Sequence, residues 1–85
     1  MPVITTPICA NFDAAPGNGV NWTNIPPSGC IIETVQSSPW PFTAGPPIKL
    51  PAPSSPPATL KEGLKPGAYC FKPSCCGKLV CVTIP

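Results

Sequence analysis

The stretch that decides the fold lies near the C-terminus and reads, for residues 67–84, Gly67-Ala68-Tyr69-Cys70-Phe71-Lys72-Pro73-Ser74-Cys75-Cys76-Gly77-Lys78-Leu79-Val80-Cys81-Val82-Thr83-Ile84. Two runs rich in β-branched and aromatic residues flank a short turn-forming segment. If the runs pair symmetrically about this turn, Phe71 lies opposite Val80. Tyr69 then lies opposite Val82, and these four residues share one face with Ile84. A slip of one residue would scramble both faces, so the pattern predicts an antiparallel hairpin in this register.

The chain has six cysteines, and all are disulfide candidates: Cys9, Cys30, Cys70, Cys75, Cys76 and Cys81. In the predicted register Cys70 lies directly opposite Cys81, close enough for a bridge. Neighbouring cysteines rarely bond each other because the short ring is strained. We therefore expect Cys75 and Cys76 to reach Cys9 and Cys30, in a pairing that the sequence leaves open.

Two alternatives to disulfides remain for these cysteines, namely a structural zinc site and free thiols. The four cysteines of the hairpin have the spacing C-x4-C-C-x4-C. This spacing lacks the C-x2-C knuckles that position zinc ligands. The sequence therefore favours disulfides, and we predict no metal site.

The segment before the hairpin, Leu64-Lys65-Pro66-Gly67-Ala68-Tyr69, resembles the L-x-P-G-x-Y segment that leads into a late strand of immunoglobulin-like and transthyretin-like β-sandwiches. The resemblance implies that the leucine fills the core, that Pro-Gly turns the chain and that the tyrosine begins a buried strand. It is local, covering six residues of 85. It implies a sandwich-like architecture and nothing about function.

The N-terminal part has the features of a β region. Pro16-Gly17-Asn18-Gly19 predicts a turn, and Asn18-Gly19 suits a two-residue hairpin loop. The alternating run 20–25 and the β-branched run 30–35 predict strands. Asn21-Trp22-Thr23 matches a glycosylation acceptor, which we interpret as a chance match.

Residues 39–57 contain eight prolines in nineteen residues, which excludes interior helix and central strand. We expect an extended, polyproline-like arm that packs through Trp40 and Phe42. Pro53-Ser54-Ser55-Pro56 matches P-x-x-P, a match expected by chance in such a stretch. The following segment, 58–64, offers at most one helical turn, because Gly63 interrupts it.

These features predict a single small all-β domain, a disulfide-stapled β-sandwich-like or irregular β module. It comprises an N-terminal β part (1–38), the proline-rich extended arm (39–57) and the C-terminal hairpin with its cysteines (58–85). The chain offers four or five recognisable strands, fewer than the seven or so of a typical sandwich.

The composition argues against several functions. The chain has no histidine and only three scattered carboxylates, so the usual general bases are missing and we expect no enzyme activity. Five dispersed lysines without arginine predict no nucleic-acid binding. No apolar run is long enough to span a membrane. We also expect no cofactor.

Charged residues make up only 9% of the chain, whereas about a quarter is usual for soluble domains. This predicts a structural subunit covered by protein partners, either copies of itself or a larger scaffold, as in a decoration, cement or fibre protein of a virion. Trp22, Trp40 and Phe42 are the interface candidates. The N-terminus does not resemble a signal peptide, so we expect cytosolic synthesis and then an extracellular particle. The alternative is a secreted cysteine-rich effector, inhibitor or toxin that acts as a monomer.

Overall fold

A computed structural model describes residues 2–51 and 56–85 of the chain. Within these residues all regular structure is β-strand, in two sheets, and three disulfides link the chain. The prediction of a small disulfide-stapled all-β module is confirmed. The strands are β1 Val3–Pro7, β2 Phe12–Asp13, β3 Gly19–Thr23, β4 Cys30–Glu33, β5 Ile48–Leu50, β6 Ala58–Thr59, β7 Gly67–Pro73 and β8 Val80–Ile84.

The five-stranded sheet is built around the C-terminal hairpin and has the order β2-β8-β7-β4-β5. Phe71 pairs with Val80, and Tyr69 pairs with Val82, as the alternation predicts. The face that carries Phe71, Val80, Val82 and Ile84 is buried, while Tyr69 is half-buried. The predicted register is therefore confirmed. The Tyr69 hydroxyl donates a hydrogen bond of 2.8 Å to the carbonyl of Lys65, which closes the turn before β7. The wider resemblance of this turn to sandwich proteins stays a prediction.

The three-stranded sheet has the order β1-β3-β6, with β1 parallel to β3 and β6 antiparallel to it. The strand predicted at 20–25 is present as β3, but the hairpin predicted at Asn18-Gly19 is wrong. The Asn18 amide donates to the Ala15 carbonyl at 3.2 Å, so a turn does form. This turn carries the chain from β2 in one sheet to β3 in the other, because β2 pairs with β8 instead.

The described residues contain eight strands, more than the four or five expected, because β1 was not predicted, β5 lies in the proline arm, and β2 and β6 are only two residues long. The segment 58–64, which the sequence limits to one helical turn at most, contains no helix. Ala58 and Thr59 form β6, and Leu60 bridges to Phe42. Helix propensity over so short a segment is weak, and the tertiary pairing overrides it.

The proline arm is partly strand-like, and it is anchored in the core. The Thr43 amide donates to the Thr59 carbonyl and the Lys61 amide donates to the Pro41 carbonyl, both at 2.8 Å. These bonds hold the fully buried Phe42 in place. Farther along, Ile48–Leu50 forms the edge strand β5, the position that nearby prolines permit. Residues 52–55 lie outside the described residues. The P-x-x-P match at 53–56 therefore lies outside them too, except for Pro56.

Aromatic rings from three parts of the chain join the two sheets into one core. Phe42 lies between Trp22 of β3 and Phe71 of β7, with ring centroids 5.5 and 5.3 Å away in edge-to-face geometry. Trp40 packs on Phe42 at 5.2 Å, and its indole N–H donates to the Ala44 carbonyl at 2.6 Å. The packing of the arm through Trp40 and Phe42 is thus confirmed.

The interface assignment requires a correction for two of its three residues. Trp22 and Phe42 are buried within the chain's own core, where a partner cannot reach them. Large aromatics are as useful for filling a core as for filling an interface, and a chain this small needs them for its core. Trp40 is half-buried and keeps some exposed surface.

Truncation of Phe42 tests the importance of this core. We expect Phe42→Ala to lower the free energy of unfolding by about 3–5 kcal/mol, because it leaves a cavity between two sheets. Leu79→Ala, at a side chain that is 47% exposed, is the control and should change stability by less than about 0.5 kcal/mol. Urea denaturation of both variants measures the difference, and equal midpoints would contradict the assigned role of Phe42.

The turn before β4 depends on the glycine at position 29. Gly29 has φ of 85°, and a Cβ atom there would lie 2.6 Å from the Leu50 carbonyl oxygen. Gly29→Ala should therefore cost about 2–4 kcal/mol, from left-handed backbone strain and the clash together. Gly45→Ala is the matched control, since nothing lies within 4 Å of its added methyl group. Thermal unfolding should show a lower midpoint for the first variant only.

Candidate functional site: an uncharged sheet edge tied down by paired disulfides

The two sheets differ sharply in charge. Each charged residue that lies in a strand of the described chain belongs to the five-stranded sheet, namely Asp13, Glu33, Lys49 and Lys72. The three strands of the other sheet, with sequences VITTP, GVNWT and AT, contain no charged residue. The strands of the three-stranded sheet are therefore uncharged.

Strand β1 is an edge of that uncharged sheet, with β3 on one side only. The hydrogen bonds at its two ends fix which residues face β3. The Gly19 amide donates to the Pro2 carbonyl at 2.9 Å, and the Ile8 amide donates to the Thr23 carbonyl at 3.0 Å. In a parallel ladder alternate residues bond to the same neighbour, so the even-numbered residues of β1 face β3. Val3 and Thr5 then direct their amide and carbonyl groups away from the sheet.

The outer surface beside this edge carries an exposed apolar side chain. The Val3 side chain is 46% exposed, and Thr5 and Pro7 follow it on the same face. A Cβ atom at Gly19 would lie 2.6 Å from the Pro56 ring and 3.4 Å from Val3, so both residues cover this position of β3. The edge thus presents backbone hydrogen-bonding groups beside a small apolar surface.

A groove of about 420 Å³ opens beside Ile4 of β1. Its lining comes from β1, from β2 and the segment after it, and from β8 and the residue that follows it: Ile4, Asp13, Ala14, Asn18, Thr83 and Pro85. β1 and β2 are edge strands of different sheets, so the groove follows the open seam between the sheets.

Two disulfides fix the chain just after β1 and at the first residue of β4. Cys9 is bonded to Cys76 and Cys30 to Cys75, which resolves the pairing that the sequence left open. The third bridge joins Cys70 to Cys81 across the hairpin, as the register predicts. The N-terminal segment and β4 are therefore both tied to the turn of the β7–β8 hairpin.

The sulfur atoms of the two turn bridges form a tight cluster. The Sγ atoms of Cys9, Cys75 and Cys76 lie within 4.8 Å of one another. All three are oxidised in disulfides, and a disulfide sulfur is not the thiolate that zinc requires. Beside them a groove of about 480 Å³ is lined in part by Cys30, Cys75 and Lys49.

Sequence reasoning missed the β1 edge, although a signal for it was present. Val3-Ile4-Thr5-Thr6 is a β-branched run between two prolines, which favours a strand. Its parallel partner β3 begins sixteen residues farther along, and no local pattern identifies that partner. The glycosylation match places Asn21, half-buried, in the middle of β3, and its interpretation as a chance match stays a prediction.

No protein-family model, no curated protein and no solved structure matches this chain. Among the described residues no helix is long and apolar enough to cross a membrane.

Removal of individual disulfides should show that they contribute unequally to the free energy of unfolding. The Cys70–Cys81 bridge spans 11 residues, so Cys70→Ala/Cys81→Ala should cost about 3 kcal/mol and leave a folded chain. Replacement of the four cysteines of the turn bridges by alanine should cost about 7 kcal/mol, since the first bridge closes a loop of 67 residues. That loss is comparable to the whole stability of a small domain. Near-ultraviolet circular dichroism and urea denaturation should therefore show the quadruple variant unfolded, and equal stabilities would contradict this ranking.

Proposed function

We propose that the chain is a non-enzymatic structural subunit that packs against other chains through the free edge of β1. The kind of assembly it suits is a larger particle, such as a virion, in which it would act as a decoration, cement or fibre protein. The observation that carries the proposal is an edge strand that pairs on one side only, with the amide and carbonyl groups of Val3 and Thr5 directed away from its sheet, and whose sheet has no charge.

An exposed edge strand is a template for strand addition, and proteins usually blunt such edges with charges, bulges or proline. β1 has no charged residue. Its prolines limit the edge to a short window, because the outward-facing Pro7 has no amide to donate and Pro2 lies at the other end. The window therefore accepts a short strand at the residues 3–5 and discourages unlimited growth along the edge.

The partners that fit this edge are copies of the chain or a larger scaffold protein. A partner strand would gain backbone hydrogen bonds from Val3 and Thr5 and would cover the exposed Val3 side chain. Burial of this surface explains how a chain with only 9% charged residues stays soluble in its working state. Multiple disulfides are compatible with an extracellular location. A particle that leaves the cytosol after synthesis would bring the chain to such an extracellular location.

The second candidate is a secreted cysteine-rich effector, inhibitor or toxin. It is favoured by the pairing of all six cysteines, since small secreted domains commonly rely on such frameworks. The two candidates differ in their behaviour in solution. A subunit with an open edge associates as its concentration rises, whereas a secreted effector stays monomeric.

A pair of matched substitutions tests the edge. Val3 and Leu79 are 46% and 47% exposed, so Val3→Lys and Leu79→Lys add the same charge at equally exposed apolar sites. We expect the wild-type chain to associate with concentration, Val3→Lys to abolish this association and Leu79→Lys to retain it, because only the first places charge on the edge. Light scattering coupled to size-exclusion chromatography measures the mass of each.

Thr5→Pro provides an independent variant, since it removes an outward amide without adding charge. It should also weaken association. A wild-type chain that is monomeric at every concentration would favour the secreted effector, and equal behaviour of the two lysine variants would exclude β1 as the interface.

A further inference from the structure

The sulfur atoms of Cys9, Cys75 and Cys76 form a cluster at the hairpin turn. The proposed docking through β1 gives this cluster no role. Cys75 Sγ lies 3.8 Å from Cys76 Sγ, and Cys9 Sγ lies within 4.8 Å of both. Cys9 and Cys76 are bonded to each other, whereas Cys75 is bonded to Cys30. A small movement would therefore bring a sulfur atom of one bridge into bonding contact with a sulfur atom of the other.

We propose that Cys76 is a site of covalent modification by small thiols, and that the two bridges exchange partners to complete the reaction. The attacking species is a thiolate, because the thiolate is the nucleophile in disulfide exchange. Cys9, Cys75 and Cys76 are all half-buried, whereas Cys30 is only 1% exposed. Attack on Cys76 is the step that leads to exchange, because it frees Cys9, which can bond to Cys75 without forming the strained ring of two neighbouring cysteines.

In the first step the thiolate attacks Cys76 Sγ. A new bond forms between Cys76 and the incoming sulfur, the bond between Cys76 and Cys9 breaks, and Cys9 takes the electron pair as a thiolate. In the second step Cys9 attacks Cys75 Sγ. The bond between Cys9 and Cys75 forms, and the bond between Cys75 and Cys30 breaks.

Cys30 leaves as a thiolate, so one thiolate is consumed and one is released, and no oxidant or reductant is needed. The Cys75 amide donates a hydrogen bond to Cys30 Sγ at 3.3 Å. A hydrogen bond to the charged form of a group favours that form, so this amide assists the departure of Cys30. A bond between Cys75 and Cys76 does not compete, because neighbouring cysteines form a strained ring.

The exchange has a structural consequence for the chain. The product keeps the segment after β1 tied to the hairpin turn, because Cys75 replaces its neighbour Cys76 as the partner of Cys9. β4 loses its covalent tie through Cys30. The Cys70–Cys81 bridge takes no part, since the cluster does not include its sulfurs.

The wild-type chain provides the direct test. The folded, oxidised protein is incubated with an equimolar amount of glutathione at mildly alkaline pH, quenched with acid, alkylated and mapped by mass spectrometry with fragmentation between Cys75 and Cys76. We expect glutathione on Cys76, a Cys9–Cys75 bridge and alkylation of Cys30. Glutathione on Cys76 with alkylated Cys9 and an intact Cys30–Cys75 bridge would overturn the exchange. Addition mainly to Cys70 or Cys81 would overturn the assigned site.

Single-cysteine variants test the second step without an added thiol. Cys76→Ala leaves Cys9 as a free thiol beside Cys75, and alkylation should be shared in comparable amounts between Cys9 and Cys30. Alkylation of Cys9 alone would overturn the proposal. If this variant does not fold, Cys30→Ala leaves Cys75 free, and its alkylation should be shared with Cys76.

Cys70→Ala is the matched control, because it leaves Cys81 as a free thiol outside the cluster. Cys81 alone should be alkylated, with both turn bridges intact. Partner exchange in this variant at the same rate would mean general scrambling, which contradicts a local origin in the sulfur cluster.

Discussion

All three disulfides have at least one sulfur within residues 70–81, so the β7–β8 hairpin is the element to which the rest of the chain is covalently attached. Phe71 on the same hairpin contacts the rings of Trp22 and Phe42, which come from the other sheet and from the proline arm. A chain of 85 residues has a small core, so covalent ties between the two sheets add a large share of its stability. The hairpin supplies both the covalent ties and the central ring of the core.

The sequence predicts the hairpin well because its information is local. Alternation of large apolar residues fixes the register of β7 and β8, and this register places Cys70 opposite Cys81. The same reasoning could not choose between Cys75 and Cys76 as the partner of Cys9, because adjacent cysteines differ in direction and not in chemistry. That choice depends on where β1 and β4 lie, which is a property of the whole fold.

The remaining elements were hard to predict because their determinants lie far away in the chain. β2 and β6 have two residues each, too few to display a period. The turn at Asn18-Gly19 has the residues of a hairpin loop, yet β2 pairs with β8 and β3 pairs with β1. Phe42 was assigned to the core or to a neighbour, and only the bonds from its segment to residues 59 and 61 decide for the core. The free edge of β1 was missed because an edge strand has a neighbour on one side only. Which strands are neighbours depends on the whole fold.

The disulfide after β1 also affects the entropy cost of adding a partner strand to this edge. Strand addition orders backbone on both partners, and this loss of conformational entropy opposes binding. β1 is fixed at its end by the bond from Cys9 to Cys76, and along its length by β3. Much of its ordering therefore takes place on folding, so in the proposed docking a short window around Val3 and Thr5 would lose less conformational entropy than a loose N-terminal segment would. The absence of charge from the three-stranded sheet acts in the same direction, because no ammonium or carboxylate group of that sheet has to be desolvated when a partner covers it.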